Sequence, residues 1–123
     1  MAVQVEADRE FWRGVLVAGG FTEVPRWTLD PVPGVVEYEA AVPDDVVGAL
    51  CRLAEDLEVP LSSVLLAAHA KVLAALSGEH EVATGYVAVE GSRPLPCRLT
   101  TEPDSWRTLL LNTHQVASEL LAH

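Results

Sequence analysis

The sequence predicts an α+β fold: a two-layer sandwich in which helices pack on a small mixed or antiparallel sheet of about three strands. The expected order is α-β-α-α-β-β-α. Three observations predict it. The stretch from Leu61 to Leu76 is apolar nearly all round a helix, which places it at the centre of the fold. Three short stretches carry strand patterns. Strands and helices interleave without strict βαβ repetition.

The elements follow in order. Ala7 to Val17 puts Phe11, Val15 and Leu16 at helical spacing, and Gly19-Gly20 stops that helix. Phe21 to Gly34 carries Pro25, Pro31 and Pro33 and reads as an extended connector, with Trp27 as a packing anchor. Val35 to Val42 alternates. Val36, Tyr38, Ala40 and Val42 share one face while Glu37 and Glu39 share the other, so a half-buried strand is expected. Pro43-Asp44-Asp45 ends it and gives the next helix an acidic start. That helix spans Asp45 to Leu57, with a stripe of Val46, Val47, Leu50, Leu53, Ala54 and Leu57. Glu58-Val59-Pro60 breaks it. Leu61 to Leu76 follows, interrupted by His69 and Lys71 and closed by Ser77-Gly78.

Val82 to Val89 is the second expected strand, where Gly85 signals a bulge or a close backbone approach. A turn through Glu90-Gly91-Ser92-Arg93-Pro94 leads to a third strand, Leu95 to Thr100. Leu95, Cys97 and Leu99 share a face, and Pro96 favours an edge position. Asp104 is the expected N-cap of a last helix, Ser105 to about Leu121. Its apolar face is Trp106, Leu109, Leu110, Thr113, Val116, Ala117 and Leu120.

The 123 residues, 50% hydrophobic and 21% charged, are expected to form one domain, residues 1–123, with a real core. The formal charge of −10 repels phosphate backbones and anionic lipid, so neither nucleic acid nor a membrane is an expected partner. No apolar run reaches the roughly 18 residues of a membrane span, and the first residues lack a signal-peptide pattern. Cys51 and Cys97 sit in apolar stretches and are expected to be buried thiols in a reducing cytoplasm.

Chemistry-bearing patterns are sparse. His69, His80, His114 and His123 show no metal-ligand spacing. His69 is expected in the core or an interface, His80 in a solvated Glu-His-Glu turn, and His114 and His123 at the surface. Gly19-Gly20 is not followed by the lysine of a phosphate loop, and no Gly-x-Ser-x-Gly elbow occurs. No catalytic, cofactor-binding or metal-ligating residue is assigned.

The order of patterns nonetheless has a likeness. An alanine- and leucine-rich helix (Val64 to Leu76) is followed by Ser77-Gly78 and then by acidic residues (Glu79 to Glu81). A Val-rich strand with glycine (Val82 to Gly85) comes next, then Gly91 with Arg93. Phe11-Trp12 precedes them, Val36 to Pro43 supplies a strand, and Ser105-Trp106-Arg107 opens the last helix. From about Glu10 onward this resembles the condensation domain of nonribosomal peptide synthetases, a two-lobed fold of the chloramphenicol-acetyltransferase type. The matching part is the first half of the second lobe.

That resemblance carries its own departures. The family's His-His-x-x-x-Asp-Gly motif lies in the first lobe, and neither His-His nor His-x-x-x-Asp occurs in this chain. A Gly-Phe-Phe-Val-Asn-like segment usual after the Gly-Arg turn is missing too, since Arg93-Pro94 leads directly into Leu95. The resemblance therefore implies a domain truncated at both ends and shortened inside, not catalytic alone. It implies a non-catalytic interaction module in natural-product biosynthesis, docking to an adenylation domain, a carrier protein or another assembly-line enzyme. Its alternatives are half of a condensation enzyme completed in trans or by dimerisation, and a small-molecule binder. Loss of the other lobe should uncover apolar surface, so a symmetric homodimer is also expected.

Overall fold

The computed structural model describes residues 2–17, 19–26, 28–102 and 105–123. Its elements are α1 (Ala2–Val17), α2 (Asp44–Leu57), α3 (Leu61–Ser77), β1 (Glu81–Tyr86), β2 (Leu95–Thr100) and α4 (Trp106–Ala122). The class is α+β as expected, but the sheet has two strands, β1 and β2, paired antiparallel. The missing strand is the stretch from Val35 to Val42. It is extended but pairs with nothing among the described residues, and Val35, Val36 and Tyr38 are each more than nine-tenths exposed. Alternation creates a strand only where a neighbouring backbone takes up its N–H and C=O groups.

The sheet register is regular, with Val82 opposite Leu99, Thr84 opposite Cys97 and Gly85 opposite Pro96. Gly85 therefore makes no bulge. It marks a close approach instead: a Cβ there would lie 3.1 Å from the Cβ of Pro94. One face of the sheet turns Val82, Cys97 and Leu99 toward the helices, where they meet Ala70 of α3 and Leu120 of α4. A second cluster joins Ala54 and Leu57 of α2, Val64 and Ala67 of α3, and Leu109 and Leu110 of α4. Burying a leucine such as Leu110 fully contributes about 1.5–3 kcal/mol.

Helix ends follow their sequences. Asp44 and Asp45 occupy the first turn of α2, favourable against its dipole. That helix closes with Glu58 in the left-handed region at φ 56°, where its N–H reaches Ala54 and Glu55 carbonyls. Gly78 closes α3 at φ 76°, a conformation that suits glycine. α4 is capped by Ser105, whose Oγ accepts from the Thr108 N–H at 3.1 Å. The expected cap Asp104 and the expected anchor Trp27 lie outside the described residues.

Two helices differ from expectation in burial. α3 was to be central on all sides, yet Leu65, Val72 and Leu76 are 42–56% exposed. α2 and α4 cover one flank and the sheet part of another, and nothing among the described residues covers the rest. α1 begins earlier than its apolar spacing predicts and has no fully buried residue. It holds on by half-buried Phe11, Trp12 and Val15, while Leu16 is exposed. Trp106 also misses the core and lies half exposed beneath Lys71, whose Nζ stands 5.7 Å from the ring centroid. No single helix among the described residues is long and apolar enough to cross a membrane.

Candidate functional site

The histidines are dispersed over four separate contacts. His69 is exposed on α3, which removes the core position from the two expected for it and leaves the interface one, because its place on the helix turns it to the sheet margin. There its Nε2 hydrogen-bonds Thr84 Oγ1 of β1 at 3.0 Å. His80 lies in an exposed turn as expected, with Nε2 4.0 Å from a Glu102 carboxylate oxygen. His114 is half-buried, and its Nδ1 meets Ser63 Oγ at 3.2 Å across α3 and α4. Ser63 itself is buried, so this pair ties two helices together inside the packing.

His123 forms the fourth contact, a clasp between the chain's first and last helices. Its Nδ1 lies 2.6 Å from Asp8 Oδ1, its ring stacks on Phe11 at 4.4 Å, and its carbonyl accepts from Trp12 Nε1–H at 3.3 Å. The hydrogen bond from His123, with a second from Gln4 Nε2–H at 2.8 Å, holds the Asp8 carboxyl below its ordinary pKa of 3.8. These contacts compensate for the thin apolar attachment of α1.

Phe11 of the clasp also lines an apolar cavity. α1 stands off the free side of β2, and an apolar groove of about 340 Å³ opens between them. Phe11, Gly14 and Val15 form one wall, Pro96 and Arg98 the other, and Val116 and Leu120 of α4 the floor. Arg98 and Glu119 give the rim its charges, and Arg98 makes no ion pair among the described residues. Gly14 matters here, since nothing lies within 4 Å of where its Cβ would be, which leaves the wall recessed. Cys97 sits beside the floor with no exposed surface, and burial pushes its thiol up to about 11. At neutral pH it is a protonated, inert packing group. Cys51 is half-buried, and both cysteines are free thiols.

A second surface comes from α3. Leu65, Val72 and Leu76 recur at helical spacing on its outer side, with Ala68 and Ala75 between them, all exposed. The sequence signalled this surface through the missing polar face of the helix, although it implied a buried position. The groove had no comparable signal. It depends on where α1 lies against β2, and Phe11 and Arg98 are 87 residues apart in the chain (98 − 11).

No protein-family model matches this chain. The chain is similar to the AMB antimetabolite synthetase AmbE of Pseudomonas aeruginosa, 31% identical over 109 residues. The match takes in 76% of this chain and 5% of that synthetase. The likeness is therefore to a short stretch of a much longer biosynthetic enzyme.

Proposed function

We propose that residues 1–123 form a condensation-domain-like interaction module of nonribosomal peptide assembly, which docks through the outer face of α3 onto an adenylation domain, a carrier protein or another assembly-line enzyme. The observation that carries this reading is the exposed apolar row Leu65, Val72 and Leu76 on a helix whose opposite side is already built into the core. A helix apolar on both sides is ordinarily covered on both sides. Apolar rows of this kind bind partners by removing their area from water, about 25 cal/mol per Å².

Similarity to part of a synthetase supports the setting, since a docking surface on one piece of an assembly line meets the other pieces. The sequence resemblance supports the absence of condensing chemistry in this chain alone, because the lobe bearing the histidine motif has no counterpart in it. The work of such a module is to hold partners together, with substrate carried by them. Leu65→Glu with Val72→Glu tests the reading. Both residues are exposed, so the fold should persist by circular dichroism while calorimetric binding to the cognate adenylation or carrier protein is lost. Absence of binding by the unaltered chain at micromolar concentration to every adenylation and carrier protein of its pathway would remove this reading.

A further inference from the structure

The chain holds an unpaired strand and an unpaired strand edge, each built to complement the other. Residues 35–42 are extended, alternate in polarity, and make no backbone hydrogen bond among the described residues. The edge is that of β2. On the other strand, Ala83 turns its N–H and C=O away from β2, since its C=O accepts from the Thr22 N–H at 2.9 Å and its N–H donates to Thr22 Oγ1 at 2.8 Å. Ala83 lies opposite Arg98, so by antiparallel alternation Arg98 turns its own N–H and C=O outward at the far edge. Thr100 does the same, and Pro96 offers a carbonyl only. None of these groups bonds a backbone partner beyond the sheet among the described residues.

We infer that residues 35–42 are a donor strand that adds to the β2 edge of a second copy of this chain, reciprocally, so that two copies form a closed two-fold dimer. Three features fit donor to edge. Eight residues (35 to 42) at about 3.3 Å each outreach the six residues of β2. The groove beside β2 has an apolar floor of Val116 and Leu120 with Glu119 at its rim, and Arg98, which makes no ion pair among the described residues, lies on the sheet's other face from Cys97. The donor has the same division: Val36, Tyr38 and Ala40 suit the groove, and Glu37 and Glu39 then fall on the side of Arg98.

The occupant is a second copy because the donor, tethered one residue before α2, stays off its own β2 edge among the described residues. Thr22 before it is fixed to the β1 edge. After it, α2 packs on α3, which borders β1, whereas β2 is bordered by α4. Each copy keeps one donor and one edge, so exchange satisfies both without leaving either free. This dimer goes beyond the docking role and uses a different surface from the outer face of α3.

Sedimentation and light scattering over a wide concentration range test it on the full chain. The expected species is a dimer of twice the 13.2 kDa chain mass, in equilibrium with monomer. Val36→Lys with Tyr38→Lys should weaken it by about tenfold or more, as should Arg98→Glu, with circular dichroism unchanged. Adding Glu37→Arg and Glu39→Arg to Arg98→Glu should restore it. A chain that stays monomeric throughout overturns the inference. So does a dimer lost through Leu65→Glu with Val72→Glu but kept by the arm variants, or a monomer whose residues 35–42 are already protected from hydrogen exchange.

Discussion

Two stretches of this chain carry strand patterns of similar quality and meet opposite fates. β2, Leu-Pro-Cys-Arg-Leu-Thr, buries Cys97 and Leu99 and pairs along its length with β1. The arm from Val35 to Val42 has a cleaner alternation and lies in solvent, with Tyr38 92% exposed. The difference is one of position along the chain. β2 follows β1 after a short turn, and its inward residues fall on the face that α3 and α4 cover. The arm lies between a segment fixed at the β1 edge and a helix packed on α3, and among the described residues it makes no backbone hydrogen bond to either strand. A polarity pattern states which face a strand would bury, and leaves open whether there is anything to bury it against.

The comparison can be broken most decisively by truncation on each side of it. Leu110→Ala, in the core, should cost about 2–5 kcal/mol in urea unfolding, as buried leucine deletions do. Val36→Ala, measured where the chain is monomeric, should stay within about 0.5 kcal/mol. Equal losses would mean that the arm is packed after all. A glutamate-specific protease sharpens the contrast next. It should cut first after Glu37 and Glu39, well before any site in α2 or the sheet, and more slowly as concentration rises if strand exchange protects the arm.

A smaller effect belongs to the core itself. Thr113 is buried on α4, and its Oγ1 has no hydrogen-bond partner among the described residues. Replacing it by valine should raise stability by about 1 kcal/mol, because an unsatisfied hydroxyl is expensive to bury. A loss of stability would show that a partner exists in solution. The smallest effect concerns the clasp of α1. The carboxyl of Asp8 is held below its ordinary pKa of 3.8, so its contribution is complete above that value and disappears as pH falls through the lower folded-state pKa. The indole N–H resonance of Trp12 should report detachment of α1 in that acid window. Asp8→Asn should remove the pH dependence while weakening the clasp at neutral pH.

Legibility of the fold varied with the range of the interactions involved. Ser77-Gly78 closing α3, the acidic start of α2 and the bounds of β2 were all readable, because each depends on residues within a turn of one another. Burial was less readable. Leu65 and Val64 are adjacent and similarly apolar, yet Val64 is 4% exposed and Leu65 51%. Which side of α3 is covered depends on α2, α4 and the sheet, and an all-round apolar helix gives no direction. Trp106 misled for the same reason, since its place on the apolar stripe of α4 lies one turn short of the core. The candidate surfaces divide likewise. The α3 row was visible as an absence of polar residues, whereas the groove comes from residues far apart in the chain.

By itself the sequence determined the class, the four helices, the strands β1 and β2 and the polarity of the arm. Those follow from helix spacing, turn residues and alternation, which act over a few residues at a time. Tertiary structure alone decided that the arm makes no backbone pairing among the described residues, that α3 keeps one apolar side exposed, and that Arg98 stands at a β2 edge separated from α1 by a groove. Each of these depends on which distant backbone or side chain occupies the neighbouring space. A local pattern can specify what a surface would bury, while only the packed chain specifies what remains for a partner to cover.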